Sequence, residues 1–253
     1  RYDIISGVEP EIVDSFEAGM RSNWIDGRIM FNMTGFYYDY QDLQVYQLEQ
    51  NPTGFPLFQL VNADEARVYG IELDLAASPL PGLDLTYNFG WVESEYLDFT
   101  VQIPFTELIP KPVPPPERIE FDKEFDYSGN DLIASPRFSM TGSVGYEIPI
   151  PGGSINPRFS FSWKDDVFHD AGSGRGALLN FPKGTFGQKA FWLLNGSLAW
   201  RSEESRIEVI GWVHNFLDEH YKTQSFDLSR GLGIILDAYA DPRTFGVTVT
   251  FSY

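Results

Sequence analysis

A two-residue hydropathy period runs through almost the whole chain, in stretches that reach about ten residues. At the end of the chain Phe245, Val247, Val249, Phe251 and Tyr253 alternate with Thr244, Gly246, Thr248, Thr250 and Ser252. Successive side chains of a strand point to opposite faces, so this segment has one large apolar face and one small polar face. Leu83, Leu85, Tyr87, Phe89 and Trp91 alternate in the same way with Asp84, Thr86, Asn88 and Gly90. About nine strands follow, over 11–22, 28–45, 57–62 continuing into 66–78, 83–98, 136–148, 154–166, 189–201, 206–216 and 242–253. Two of them are ambiguous in facing. The 28–45 run carries aromatics on both faces, and in 206–216 Ile207 and Val209 compete with Ile210 and Trp212. No long segment shows a helical period.

The connections fall into two sizes that alternate along the chain. Asn23–Gly27, Pro79–Gly82, Pro151–Gly153 and Ser202–Ser205 have the Gly, Pro, Asn and Ser chemistry of tight reversals. The others are long, over 47–56, 99–135, 167–188 and 217–241. A compact soluble domain rarely carries four such loops. An outer-membrane barrel has short periplasmic turns and long extracellular loops as a rule. Strands of about ten residues also match a tilted membrane crossing, against about 5–6 in soluble sheets. Trp24, Tyr69, Trp91, Tyr96, Tyr146, Trp163, Trp192, Trp200 and Tyr253 sit near run ends, as two aromatic girdles would require. The expected fold is therefore all-β, an antiparallel transmembrane β-barrel. A soluble β-sandwich or lipocalin-like barrel shares the alternation and remains the competing reading.

Composition narrows the function classes. The 253 residues carry a formal charge of −18, which argues against nucleic acid, whose phosphates need a basic surface. Cysteine is absent, which excludes disulfides, thiolate metal sites and a cysteine nucleophile. No apolar run of about 18 residues occurs, so no transmembrane helix is expected. The sequence starts at Arg1 rather than Met, which suggests a processed chain or a piece of a longer one.

Five segments, read in order, resemble the C-terminal part of TonB-dependent outer-membrane receptors. Glu9-Pro10-Glu11 with Glu17-Ala18-Gly19-Met20-Arg21 is similar to the family's Pro-Glu…Glu-x-Gly-x-Lys/Arg strand. Phe36-Tyr37-Tyr38-Asp39-Tyr40-Gln41-Asp42-Leu43-Gln44 is similar to its next strand top. Asn62-Ala63-Asp64-Glu65-Ala66-Arg67-Val68-Tyr69-Gly70-Ile71-Glu72 resembles the Asn-Ala-x-x-Ala-x-x-x-Gly-x-Glu motif, the most distinctive of the set. Asn215-Phe216-Leu217-Asp218-Glu219-His220-Tyr221 resembles Asn-Leu-Phe-Asp-x-x-Tyr, with Phe216 and Leu217 in swapped order. Pro242-Arg243-Thr244-Phe245-Gly246 resembles the closing strand. The resemblance implies the last part of a plugged barrel of roughly 22 strands. It implies active uptake of a scarce nutrient, captured by extracellular loops and energised through TonB. The implied partners are outer-membrane lipid and lipopolysaccharide, the rest of the barrel and its plug, the TonB complex, and a small-molecule or metal-chelate ligand. The plug and earlier strands are expected outside this chain. The resemblance also gives Val249, Phe251 and Tyr253 the look of the signal read by the barrel-assembly machinery.

Parity assigns Glu17, Arg21, Glu72, Asp74, Asn88, Arg158, Lys164, Asn195 and Arg201 to the lumen, because a Lys or Arg at mid-membrane facing lipid costs about 2–4 kcal/mol. They are candidates for ligand contact, or for a solvated, salt-bridged wall against the plug. Residues 93–131 hold ten acidic residues against three basic ones. Glu120, Asp122, Glu124 and Asp126 in this stretch, with His169 beyond it, are the loop candidates. The stretch reads as a lid, a clamp for a cationic or metal-bearing ligand, or a solvated loop; a Ca²⁺ site is open but lacks EF-hand spacing. Pro110–Pro116 should be stiff and extended. His169-Asp170 and His220 leave a haem or metal role open against plain polar loops. Gly172-Ser173-Gly174-Arg175-Gly176 lacks the Lys-Ser/Thr of a phosphate loop. With no nucleophile elbow or triad spacing, the chain is not expected to be an enzyme, and no cofactor is expected. The alternatives to active transport are a passive porin-like channel and a split-barrel or surface structural subunit.

Overall fold

The computed structural model describes residues 7–50, 56–109, 117–176, 178–204 and 206–252. In chain order its elements are β1 (Ile12–Trp24), β2 (Ile29–Gln50), β3 (Pro56–Ala77), β4 (Leu83–Asp98), β5 (Thr100–Ile109), β6 (Glu117–Asp126), β7 (Phe138–Tyr146), β8 (Ile148–Ile150), β9 (Gly153–Lys164), β10 (Val167–Phe168), β11 (Gly187–Gln188), β12 (Phe191–Ser202), β13 (Ile207–His214), β14 (Lys222–Leu228), α1 (Ser229–Leu232), β15 (Ile234–Tyr239) and β16 (Thr244–Phe251). One sheet runs β1-β2-β3-β4-β7-β9-β12-β13-β16, every pair antiparallel, with β8 joined to the start of β9. Each of these strands is the expected one. β1 and β16 stand at the two ends of the path. The small hairpins β5–β6, β10–β11 and β14–β15 all lie within connections at one end of the sheet.

The opposite end is closed by tight turns. Between β1 and β2, Ile25, Asp26 and Gly27 take φ of 52°, 52° and 82°, the left-handed geometry that makes a hairpin reverse with the strand twist. Gly82 and Gly152 do the same before β4 and β9.

Two connections differ from the sequence reading. Residues 47–56 were expected as a long loop, but β2 and β3 continue their ladder as far as Gln50↔Pro56. Residues 99–135 are largely a β-hairpin, pairing Thr100↔Asp126 through Ile109↔Glu117. Alternation is not visible in this charge-rich stretch, although Val101 and Phe125 are buried in the loop-end core. The Pro110–Pro116 segment lies outside the described residues.

Register settles which residues share a face, since directly opposed residues point to the same side. Following Arg21↔Asn32↔Asp74↔Asn88↔Thr141↔Ser162 across five ladders gives a face of polar and small residues. The other face is apolar and open: Leu198 is 55 % exposed and Phe245 80 %. In β2 this apolar face takes Ile29, Phe31, Met33 and Tyr37, while Phe36, Tyr38 and Tyr40 fall on the polar side. In β13 it takes Ile207, Val209 and Val213; Trp212 sits on the polar side, its indole N–H donating to Thr248 Oγ1 at 3.2 Å.

An aromatic row marks the end of the apolar face nearest the long loops. Tyr37 stacks on Tyr69 at 6.4 Å, Tyr69 meets Trp91 edge-on at 5.9 Å, and Trp163 lies 6.1 Å from Trp192. Charges begin one step beyond it on the same face: Arg67 pairs with Glu95 at 3.0 Å, and Arg137 pairs with Glu93. Trp24, Tyr146 and Trp200 sit at the turn end of that face. Tyr96 is not in a girdle. Its parity is that of the polar face, and it is buried to 1 % exposure among loop residues. Tyr253 lies outside the described residues.

The buried core is not between the faces of the sheet but at the long-loop end. Val45, Ala63, Ala66, Tyr96, Phe99, Val101, Phe125, Tyr127 and Ala171 pack together there.

Candidate functional site

All nine residues assigned to the lumen by parity lie on the one polar face. Many are already engaged with neighbours. The Tyr38 hydroxyl donates to Glu17 Oε1 at 2.6 Å, and Asn88 donates to Thr141 Oγ1 at 3.0 Å. Arg201 pairs with Glu208 at 2.7 Å. The Arg158 guanidinium lies over Gly145, with Nη2 about where a Cβ would press it at 3.0 Å. Glu72, Asp74 and Asn88 line one shallow hollow on β3 and β4. Lys164 sits opposite Phe191 at the loop end, and Arg21 opposite Asn32 near the turn end.

The recognisable motifs build the loop end. The Asn62 amide donates to Asp42 O at 2.6 Å and to Glu9 O at 3.0 Å, and its Oδ1 accepts from Glu9 N at 2.9 Å. Asp42 has φ of 55°, a conformation that breaks its own place in the ladder and frees its carbonyl. Ala63 and Ala66 are fully buried in the core formed with the loop aromatics. A Cβ on Gly70 would stand 2.1 Å from Trp91 O and 2.9 Å from Phe36 Cζ, so only glycine admits the approach of β4. In the second motif, Asn215 exchanges hydrogen bonds with Glu219 at 2.8 and 2.9 Å, and Asp218 Oδ1 accepts from Arg243 N at 2.9 Å. That clasp ties the exit of β13 to the entry of β16.

Three aromatic rings organise the loops. Tyr96 packs on Phe99 at 4.9 Å, and Phe99 on Tyr127 at 5.4 Å. Between these rings, the β2–β3 hairpin, residues 169–172 and β14 lies a cavity of about 370 Å³. Phe58 closes one side against Phe226 at 5.4 Å. His169 and Asp170 both line the cavity. Burial pushes the Asp170 carboxyl up to about 6, although it accepts N–H bonds from Gly172 at 2.7 Å and Gly176 at 3.4 Å. Burial holds the His169 imidazole below its ordinary range, with nearby Lys222 adding to the effect, so it is neutral near pH 7.

The remaining loop candidates lie elsewhere. Glu124 accepts from Gln102 Nε2 at 2.7 Å across the β5–β6 ladder. Asp126 is exposed, and its carboxyl is held low by the Ser128 hydroxyl and backbone N–H. Glu120 and Asp122 are in β6, and their side chains lie outside the described set. Glu124 and Asp126 do not line the cavity. Among the described residues no three His, Asp or Glu side chains converge as metal ligands. Val249 and Phe251 are exposed on the apolar face of β16.

Sequence reading missed the cavity's chemistry-bearing residues, Gln47 and Asp227. Both lie in segments taken for irregular loop, and each brings one polar group with no motif around it. Only three-dimensional closure of the loops puts them beside His169 and Asp170.

A profile of the family described as TonB dependent receptor-like, beta-barrel matches residues 2–216. Solved structures share the fold. The ferric yersiniabactin uptake receptor FyuA from Yersinia pestis superposes with a TM-score of 0.68 at 21% identity, over 94% of this chain and 29% of its own. The siderophore receptor PiuA from Acinetobacter baumannii gives 0.63 at 15% identity, over 94% and 28%. BauA, the ferric preacinetobactin receptor from the same organism, gives 0.60 at 14% identity, over 94% and 29%. The chain thus spans less than a third of the receptors it matches. Its open apolar face, aromatic row and loop asymmetry are those of an outer-membrane barrel, and the chain belongs to the TonB-dependent receptor β-barrel family.

Proposed function

We propose that these strands form the C-terminal part of a plugged barrel that takes a small-molecule or metal-chelate nutrient across the outer membrane. The polar face lines the interior, the apolar face meets lipid, and the long loops capture the ligand outside. The rest of the barrel and the plug supply the partners of β1 and β16, and TonB supplies the energy. The carrying observation is the loop end: three connections fold into one buried aromatic core around a cavity, which a mere set of tethers would not need. A chain of this kind breaks no bond. Ligand release inward follows from remodelling the plug.

The solved receptors of this fold are named for ferric yersiniabactin, ferric preacinetobactin and other siderophores. That supports an iron-chelate or comparable scarce nutrient as cargo. The test is accumulation of a panel of radiolabelled chelates in cells carrying the intact gene. Uptake that collapses when TonB is deleted supports the reading. Uptake that persists without TonB and scales with concentration makes the barrel a passive channel.

A further inference from the structure

The 370 Å³ cavity has a distinctive lining. Gln47 is 7 % exposed, and among the described residues neither its Nε2 nor its Oε1 has a partner. Leaving a buried amide unpaired costs about 1–3 kcal/mol, so a fold keeps one where something else completes it. His169 Nδ1, in the lining of the same cavity, is likewise buried without a partner among the described residues. Two carboxylates, Asp170 and Asp227, line the cavity, and no Lys or Arg does. Tyr96, Phe99 and Tyr127 present aromatic surface to it.

We propose that this cavity recognises a cationic, N–H-donating group of the ligand, an ammonium or guanidinium with an adjoining carbonyl, and rejects carboxylate and phosphate. The inference rests on the uptake reading and adds the chemistry that the loop end selects. Gln47 Oε1, Asp170 and Asp227 accept from the cation. Gln47 Nε2 donates to the carbonyl. The aromatic faces favour the positive charge, which is attracted to ring quadrupoles. An anion would meet two carboxylates in a lining without Lys or Arg, and Lys222, which stands near His169, is already paired with Asp237 at 2.9 Å. The volume is at the small end of ligand pockets, enough for one amino-acid-sized group rather than a whole chelate. The lining comes from the β2–β3 hairpin, the residues flanking β5–β6, the 169–172 loop and β14, so an occupant would also bind these connections to one another.

The test uses the intact receptor in detergent, with argininamide as probe and N-acetylglutamate as its acidic counterpart. Saturation-transfer NMR reads contact for each. The expected result is transfer to argininamide and none to N-acetylglutamate. Transfer should fall at least fivefold in Gln47→Met, which keeps the volume and removes the amide, and in Asp227→Asn. Gln47→Met should melt no lower than the parent, since it removes an unpaired polar group. Equal transfer to the acidic probe, or unchanged transfer to argininamide in Gln47→Met, overturns the proposal. TonB-dependent uptake is measured in the same strain: its absence overturns the uptake reading, while the probe titration alone decides the cavity.

Discussion

The side-chain amide of Asn62 donates to the backbone carbonyl of Asp42 at 2.6 Å, where the β2–β3 ladder skips a pair. The same side chain holds Glu9, 53 residues away, so one asparagine fastens the approach to β1 onto the top of the next hairpin. Asn62→Ala leaves the part-buried Asp42 carbonyl without this partner and releases the exposed backbone of Glu9. The expected loss is about 1–3 kcal/mol. It should appear as a lower denaturation midpoint, with faster hydrogen exchange at the Gln44 amide, which is bonded to Glu11 alongside.

Gly70 and Gly211 predict opposite outcomes for the same substitution. A Cβ at Gly70 meets Trp91 O at 2.1 Å, whereas nothing stands within 4 Å at Gly211. Gly70→Ala therefore forces β3 and β4 apart and should cost about 3 kcal/mol or more. Gly211→Ala should stay within about 0.5 kcal/mol. Heat-modifiable gel mobility, which separates folded from unfolded barrels, reads both.

Asp170 makes its loop sensitive to pH. Its carboxyl titrates near 6 when folded, against an ordinary value of 3.8, chiefly because it is buried. The folded state thus favours the protonated form. That contribution is complete below about pH 4 and is lost as pH rises through about 6, amounting to about 1–3 kcal/mol. Protection of the Gly172 amide, corrected for intrinsic exchange, should fall from pH 4 to pH 7 relative to Asp170→Asn, in which the slope disappears. Parallel slopes in the two proteins would contradict the assignment.

Placement of charge should expose the two faces. Leu198→Arg puts a cation on the apolar face and should destabilise the bilayer-embedded barrel by about 2–4 kcal/mol. Ser197→Arg, its neighbour on the polar face, should cost much less. Denaturant unfolding from lipid vesicles measures the pair.

The strands were legible because period-two patterning is imposed by two unlike environments. Phe245 through Phe251 fall on the apolar face that parity gives them, and Glu17, Arg21 and Arg201 share the polar face. β5 and β6 were illegible because they lie in a charge-rich connection; Val101 and Phe125 do pack into the loop core, but two apolar positions do not mark a period. Tyr96 was misplaced because an aromatic near a strand end fits a girdle by position, and only its parity betrays the loop core. The cavity was illegible for a different reason. Gln47, Asp170 and Asp227 are far apart in sequence, and each is ordinary until Phe99 and Tyr127 close over them.

The central claim is that apolar residues touch hydrocarbon while their sequence neighbours face an aqueous interior. This chain has no cysteine, so single nitroxide labels can be placed in it at will. Labels at Ser197, Leu198, Val247 and Thr248 of the intact receptor in bilayers would be read by their relaxation with oxygen and with a water-soluble nickel chelate. The account predicts oxygen contact at Leu198 and Val247 and nickel contact at Ser197 and Thr248. Equal nickel contact at all four, or the reverse alternation, would contradict it.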